Sequence, residues 1–364
     1  MNDQASTPPT SPPAPLPEPV LPATPTPFPP FTLRRPAVEA LPLVCDSPHS
    51  GVRYPADFRY AIPFDELRAG EDTDVHVLWD ALPDVGATLL AAEFPRSYID
   101  PNRDVEDLDP DMLDGPWPGP LAPGEKTRLG IGLIWRDGGR GRSRAIYDRK
   151  LSVAEVQSRI DTWHAPYQST LRGLVEEAYQ RFGAVWHLNL HSMPANAYEG
   201  LGIRTDKQLA DFVLGDCDGV TCAPEFTALV ADALKRRGFR VAINDPYKGV
   251  ALIARLGQPA KRRHSLQIEL HRGLYMDEAT RARSAGFEPL RRALGEVVGE
   301  VAAYVKGQAA GEGPGRRVRR ADASTRWAPQ VQKGSNPWPP RPHPLKHCVS
   351  AFLARGECSP GSVR

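Results

Sequence analysis

Two histidines and a glutamate follow three separate apolar runs of the sequence, a combination that can bind a divalent metal and assist hydrolysis. His49 comes three residues after the run Leu41–Asp46, and His191 comes directly after the run Val185–Leu190. Glu269 stands near the end of a third apolar run. Zinc takes nitrogen and oxygen ligands in proteins, so two histidines and nearby acids suit it. We therefore predict that His49 and His191 are metal ligands.

An acidic cluster between the first two runs offers candidates for a third ligand. Asp72 and Asp74 lie in the segment Glu71–His76. Either acid can complete the metal site, and the sequence does not choose between them. Alternatively, acids in the first turns of a helix simply stabilise its macrodipole.

A segment rich in arginine follows another apolar run. Arg96, Asn102 and Arg103 lie within ten residues. Arginine holds carboxylate groups in a fork geometry that lysine cannot copy. These residues therefore predict a binding site for an anionic substrate, although Arg103 can instead pair with Asp100 or Asp104.

Lys248 is a further candidate, in the sequence Tyr-Lys-Gly. It can reach a substrate carboxylate, or it can be a surface lysine in a turn. Taken together, the chemistry-bearing residues indicate metal-assisted hydrolysis of an anionic compound.

The elements that must position these residues alternate between short apolar runs and amphipathic segments. The predicted strands are Leu41–Asp46, Thr88–Phe94, Val185–Leu190, Phe212–Gly215, Phe239–Ile243 and Ser265–Leu270. The predicted helices are Phe64–Leu82, Ser152–Phe182 (interrupted by Pro166), Glu225–Arg237 and Ser284–Lys306. Such alternation predicts an α/β three-layer sandwich with a mixed, mainly parallel central sheet. Active sites of these folds gather beyond the carboxyl ends of the strands.

Composition divides the chain into three parts. Residues 1–36 hold thirteen of the 39 prolines and have no apolar periodicity, which predicts a disordered tail. Residues 307–364 hold ten Lys or Arg against three acids, with eight prolines, and predict a second disordered, basic tail. Residues 37–306 are then the catalytic domain.

The remaining bulk properties argue against several classes of partner. The formal net charge is +1, so we expect neither nucleic acid nor an anionic membrane surface as the main partner. No apolar stretch is long enough to span a membrane, and no signal peptide is recognisable. Five cysteines without a C-x-x-C pair indicate free thiols and a cytoplasmic protein.

The order of these motifs resembles that of the N-formylglutamate amidohydrolase family. The resemblance covers roughly residues 41–280. The motifs that carry it are Ser47-Pro48-His49-Ser50-Gly51, Asp72-Thr73-Asp74 with His76, Arg96 to Arg103, Leu190-His191-Ser192-Met193, Asp211 to Gly215 with Gly219, Asn244 to Gly249, and Gln267 to Leu270.

This resemblance implies a phosphorylase/hydrolase-like fold similar to that of zinc carboxypeptidases and aspartoacylases. It implies that His49 and His191 hold zinc and that Glu269 is the general base. It further implies that Asn102 and Arg103 grip a substrate carboxylate, and that Arg96 stabilises the oxyanion or holds a second carboxylate.

One position departs from the wider superfamily, which places a glutamate three residues after the first histidine. Here that position is Val52, which cannot bind a metal, so the third ligand must be another residue, Asp72 or Asp74. The expected reaction is hydrolysis of N-formyl-L-glutamate to formate and glutamate. The alternatives are an amidohydrolase acting on another N-acyl amino acid, and a protein that binds acidic metabolites without catalysis.

Overall fold

The structure, a computed structural model, describes residues 28–139, 144–249 and 251–310. Its strands are β1 (Phe31–Arg34), β2 (Leu43–Ser47), β3 (Thr88–Ala92), β4 (Asp137–Gly138), β5 (Arg144–Ala145), β6 (Val185–Met193), β7 (Phe212–Gly215), β8 (Val241–Ile243) and β9 (Arg263–His271). Its α-helices are α1 (Phe64–Leu67), α2 (Val75–Leu78), α3 (Glu125–Arg128), α4 (Val153–Arg159), α5 (Ala165–Phe182), α6 (Ala197–Gly200), α7 (Pro224–Lys235), α8 (Ala251–Leu256) and α9 (Phe287–Ala310).

Seven of the strands form one mixed sheet in the order β1-β3-β2-β6-β9-β7-β8. β3, β2, β6 and β9 run parallel to one another, whereas β1 and β7 are antiparallel to their neighbours β3 and β9. The predicted α/β sandwich with a mainly parallel sheet is therefore confirmed. The carboxyl ends of β2, β6 and β9 meet at one edge, because these three strands are adjacent and parallel.

Two apolar cores cover the two faces of the sheet. One contains buried residues of α2, α7 and α9, and the other contains buried residues of α4, α5 and the loops after β3. Continuous burial along β2 and β6 follows from this double cover. The sheet is thus a rigid central layer from which polar side chains at its edge are presented.

Polar side chains alternate with apolar ones along β6 and β9, and the register of these strands pairs them. His191 lies opposite Glu269, and Asn189 lies opposite Gln267. Side chains two residues apart on a strand share a face. One face of the two central strands is therefore a buried polar row that leads toward the carboxyl edge.

The predicted helix Phe64–Leu82 is wrong as a continuous element. The structure has two single helical turns there, α1 and α2, separated by an irregular segment that contains Asp72. Asp74 adopts a left-handed conformation with φ 62°, which a right-handed helix excludes. The interruption turns the backbone so that the amide of Asp72 donates to the carbonyl of His49, at 3.0 Å.

The other three predicted helices are confirmed with shifted ends. The segment Ser152–Phe182 forms α4 and α5, joined by a wider turn at Ile160–His164, and Pro166 lies in the first turn of α5. The wider turn before it accommodates the proline, which has no amide hydrogen to donate to the preceding turn.

Both predicted tail boundaries need adjustment. β1 lies within the predicted N-terminal tail and pairs with β3, so the folded part begins before residue 37. α9 continues to Ala310, past the predicted end at residue 306. The rest of the two predicted tails, 1–27 and 311–364, lies outside the described residues. None of the described helices combines the length and apolar character needed to cross a membrane.

Candidate active site at the carboxyl edge of the sheet

Three buried side chains from separate parts of the chain converge at the carboxyl edge of β2 and β6. His49, Asp72 and His191 offer ligand atoms that all lie within 4.8 Å of one another. Oδ2 of Asp72 is 3.5 Å from Nδ1 of His49 and 3.3 Å from Nδ1 of His191. Ligands around a tetrahedral zinc ion are separated by about 3.4 Å, given metal–ligand bonds of about 2.1 Å. This donor set could bind a divalent metal.

A carboxylate fixes the orientation of the His49 ring. Nε2 of His49 donates to Oδ1 of Asp100 at 2.8 Å, and Arg96 donates to the other oxygen of Asp100 at 2.9 Å. Because a carboxylate only accepts, the proton of His49 is on Nε2. Among the described residues, the buried Nδ1 of His49 has no hydrogen-bond partner, so its lone pair is available to a metal.

The side-chain amide of Asn189 fixes the orientation of the His191 ring in a similar way. Nε2 of His191 is 2.6 Å from Oδ1 of Asn189, and Nδ2 of Asn189 donates to the buried carboxylate of Asp46 at 2.8 Å. Asp46 can only accept, so it holds the Asn189 amide with its oxygen toward His191. His191 is then protonated on Nε2 and presents the lone pair of Nδ1 toward Asp72.

The role of Asn189 as a positioning residue leads to a test. We expect Asn189→Leu to weaken zinc binding by about 10–100-fold, the usual cost of losing an outer hydrogen bond to a ligating histidine. Tyr167→Phe is the matched control, because it removes a hydroxyl that donates to Asp46 at 2.9 Å but leaves the contact with His191 intact. Zinc competition titrations measure the affinity, and thermal unfolding reports the fold. Equal affinity in the two variants would contradict this role.

Burial and nearby charges set the protonation of the groups in the cluster. Burial, and next the charge of His49, lower the pKa of His191 to about 4, so its imidazole is neutral at pH 7. Burial favours a raised pKa for Asp72, but its close contacts with His191 and His49 and the charge of Arg272 hold the pKa well below its ordinary value. Arg272 donates to Oδ1 of Asp72 at 2.9 Å. Asp72 is therefore an anionic carboxylate beside the neutral imidazole of His191.

Glu269 lies next to this cluster, on the central strand β9. Its Oε1 accepts a hydrogen bond from Nε2 of Gln267 at 2.9 Å, and the side chain lines the large cavity at the sheet edge. Burial, and next the negative charge of Asp72, raise the pKa of Glu269 to about 8. A carboxyl group with a pKa near the working pH is suited to take up and return a proton.

The raised pKa predicts how the stability of the metal-free protein depends on pH. Between the ordinary value of 4.5 and about 8, folded Glu269 keeps a proton that the unfolded chain has lost. Its contribution to stability is therefore lost as the pH rises through this window, by at most about 1.4 kcal/mol per pH unit. Thermal unfolding in chelator from pH 5 to 8.5 should show wild type losing stability relative to Glu269→Gln. A difference independent of pH would show that Glu269 is not the buried acid described.

Glycines allow the loops that carry His49 and Asp72 to approach their neighbours. A Cβ on Gly51 would lie 2.2 Å from the carbonyl oxygen of Phe94. A Cβ on Gly70 would lie 2.7 Å from the indole ring of Trp135. A larger residue would collide with the backbone of Phe94 at the first position and with the Trp135 ring at the second, so both positions favour glycine.

A cavity of about 390 Å³ opens beside Glu269, large enough for a small organic acid. Cationic side chains dominate the charged part of its wall: Arg96, Arg103, Lys126, Arg272 and Arg281. The carboxylates in the described part of the wall are those of Glu269 and Glu278. This excess of positive charge matches an anionic ligand.

The structure separates the predicted site residues into two groups. It brings His49, Asp72, His191 and Glu269 together and places Arg96 and Arg103 in the cavity wall. Asp74 is not in the cluster, because it pairs with Arg283 at 2.6 Å. Of the two acids left open, Asp72 is the one beside the histidines.

Two predicted substrate ligands lie outside the described cavity wall. Lys248 forms an ion pair with Asp218 at 2.9 Å, which fits the alternative interpretation of a lysine in a turn. Its neighbour Tyr247 lines the cavity instead. Asn102 is buried behind the cluster, with Nδ2 3.2 Å from Nε2 of His191, so its contact with substrate stays a prediction.

Sequence reasoning missed several residues of the wall and of the network behind it. Arg272 directly follows β9, which was a usable signal, and Asn189 and Gln267 stand two residues before His191 and Glu269 on the same strand faces. Lys126 lies in the single helical turn α3 and Arg281 in an irregular segment, and no pattern in the sequence marks either of them.

Comparisons with known proteins agree with this geometry. The family model described as "FGase: N-formylglutamate amidohydrolase" matches residues 41–276. An N-formylglutamate deformylase of Pseudomonas putida is 30% identical over 243 residues, which are 65% of this chain and 83% of that protein. An N-formylglutamate deformylase of Pseudomonas aeruginosa is 29% identical over the same shares.

Solved structures give the same result at the level of the fold. The crystal structure of an N-formylglutamate amidohydrolase from Ralstonia eutropha is 60% identical, with a TM-score of 0.76, and the match covers 77% of this chain and 100% of that one. A gene product of Agrobacterium tumefaciens shares the fold at 18% identity and a TM-score of 0.50, over 77% of this chain and 97% of that one.

Proposed function

Because the chain belongs to the N-formylglutamate amidohydrolase family, we propose that it hydrolyses N-formyl-L-glutamate to formate and L-glutamate with the help of a bound divalent metal. The observation that carries the proposal is the buried His49, Asp72 and His191 cluster beside Glu269, at the wall of a cationic cavity. The cluster supplies ligands, the glutamate supplies a base, and the cavity suits a dicarboxylate.

Zinc fits the donors better than a hard cation does. Two imidazole nitrogens and one carboxylate are the ligand types that catalytic zinc sites use, whereas magnesium and calcium prefer oxygen ligands alone. His49 and His191 each have Nε2 engaged by a neighbour, which leaves Nδ1 for the metal. When bound, the metal polarises the formyl carbonyl and makes water more acidic.

Glu269 acts as the general base and then as the general acid. As the base, its carboxylate accepts a proton from the attacking water. The protonated group then donates to the amide nitrogen as the bond between carbon and nitrogen breaks, so that glutamate leaves as an amine. Burial against Asp72 favours proton uptake, and positive charge nearby, including that of Arg96 and Arg272, favours proton release. These opposing effects keep the two forms close in free energy.

The arginines orient the substrate and oppose the charge that develops on it. Arg103 is buried in the cavity wall and holds the α-carboxylate of the substrate. Arg96, fixed by Asp100 and lying 4.9 Å from the centre of the Trp135 ring, stabilises negative charge on the formyl oxygen in the transition state. Holding the substrate at fixed points places the formyl carbon for attack and reduces the entropic part of the barrier.

The proposal is tested by measuring formate released from N-formyl-L-glutamate by the full-length protein. We expect release by zinc-loaded protein, loss of release after chelation, and recovery when zinc is restored. If zinc-loaded, folded protein releases no formate, the chain is not an N-formylglutamate hydrolase. If chelated protein keeps full activity, the metal-assisted mechanism is wrong.

A further inference from the structure

Arg281 occupies an unusual position in the cavity wall. Its guanidinium is half-buried, and its hydrogen bonds among the described residues go to neutral acceptors, the carbonyl of Glu71 at 3.4 Å and the hydroxyl of Thr73 at 3.3 Å. Both contacts are long for hydrogen bonds. Two other arginines in the wall, Arg96 and Arg272, each bind a carboxylate at 2.9 Å. Arg103 donates to backbone carbonyls, but it has the carboxylate of Asp100 3.9 Å away.

A cation buried without a nearby anion is costly for the folded protein. The carboxylate of Glu71 compensates Arg281 only in part, because it is already engaged by Arg68 at 3.0 Å and by Tyr54 at 2.7 Å. Burial, and next the charge of Arg272, lower the pKa of Arg281. The guanidinium is thus held in a place that disfavours its charge, which an incoming anion would relieve.

The backbone is built to hold Arg281 in this place. The residue has φ 61°, an uncommon conformation for a side chain of this size. Backbone hydrogen bonds fix the turn around it: the amide of Arg281 donates to the carbonyl of Asp277, and the amide of Asp277 donates to the carbonyl of Ala282. The carboxylate of Asp277 also accepts a hydrogen bond from the amide of Thr280 at 2.7 Å. A strained conformation that its surroundings enforce is typical of ligand-binding positions.

We propose that Arg281 binds the side-chain carboxylate of the substrate and so selects acidic N-acyl amino acids over neutral ones. The inference rests on the proposed function and assigns to it a specificity residue beyond Arg96 and Arg103. Arg281 lies just after residues 41–276, the region that the family model matches. The fork of its guanidinium suits a carboxylate and not the neutral amide of a glutamine side chain.

Glu278, in the same turn, also lines the cavity, but its carboxylate is turned to the backbone. It accepts a hydrogen bond from the amide of Ala195 at 2.9 Å. Glu278 therefore ties the turn to the loop after β6. Among the described residues, the guanidinium of Arg281, in the same turn, has no carboxylate partner. Glu278 thus holds the turn in place, and Arg281 is left to contact the substrate.

The test compares kcat/KM for N-formyl-L-glutamate and N-formyl-L-glutamine, which differ in side-chain charge but hardly in shape. We expect Arg281→Met to lower the value for the glutamate substrate by about 10–100-fold, the range for a lost hydrogen bond to a charged group, and to leave the glutamine substrate within about threefold. Arg281→Lys, which keeps the charge without the fork, should lose less. Arg283→Met is the matched control, because Arg283 is in the same turn but pairs with Asp74.

Each possible result either supports or overturns the assignment of Arg281 as a specificity residue. A loss confined to the glutamate substrate in Arg281→Met, with Arg283→Met unchanged, supports the assignment. Equal losses on both substrates, or no loss on either, overturn it while leaving the proposed function intact. If zinc-loaded wild type hydrolyses neither substrate, the proposed function fails, and the specificity role fails with it. Thermal unfolding of each variant separates these results from a loss of fold.

Discussion

Replacing Glu269 with glutamine should abolish most of the turnover while leaving metal and substrate binding in place. Glutamine has nearly the same shape, and the cavity wall keeps its contour, but the amide cannot accept a proton from water at neutral pH. We expect kcat to fall by about 10²–10⁴-fold, the usual contribution of a positioned general base. The measurement is formate release under saturating substrate, with bound zinc quantified in the same preparation.

The surface variant Glu177→Gln is the control for this change, since that side chain is 61% exposed and pairs with Arg35. It should keep the turnover of the wild type. If Glu269→Gln retained more than about a tenth of the wild-type kcat, another group would have to be the base, because no positioned base contributes so little.

Replacing Asp72 with asparagine should reduce zinc affinity by at least about 100-fold, more than outer hydrogen-bond partners usually contribute. The change removes the anionic ligand and leaves two neutral imidazoles, and it also removes the carboxylate that Arg272 binds. Activity should fall in parallel and recover in part at high zinc concentration. Affinity is measured by competition with a chromogenic chelator.

Asp74→Asn is the matched control for the metal ligand, two residues along the same segment. Its side chain pairs with Arg283 and lies outside the cluster, so zinc affinity should stay within about threefold of wild type. The reverse pattern, with Asp74→Asn losing zinc and Asp72→Asn keeping it, would show that the ligand set is wrong.

The sequence was sufficient for the parts of the site that strands position. His191 and Glu269 are on β6 and β9, and His49 follows β2 closely, so recognising apolar strands was enough to expect their convergence. Parallel neighbours in a sheet end at the same edge, and this rule needs no knowledge of loops. The strands were also the elements with the clearest pattern, because burial on both faces makes them continuously apolar.

Residues in irregular segments could not be placed in this way. Asp72 and Asp74 differ by two positions, and only the left-handed backbone at Asp74 sends one toward the histidines and the other toward Arg283. A helical pattern over this segment was misleading, since its apolar residues pack in two separate turns. Arg281 and Lys248 show the same limit, because the conformation of a turn decides whether a cation faces the cavity or an acid nearby.

The polar row on the central strands has a consequence for motion at the site. Asn189 and His191 belong to β6, whose backbone is bonded to β2 on one side and β9 on the other. Elements of this kind exchange their amide hydrogens only when the whole domain opens. The free energy needed to move the backbone that carries His191 is therefore close to that of global unfolding. The turn that carries Arg281 lies outside the sheet, so a substitution in that turn need not move the His191 ring.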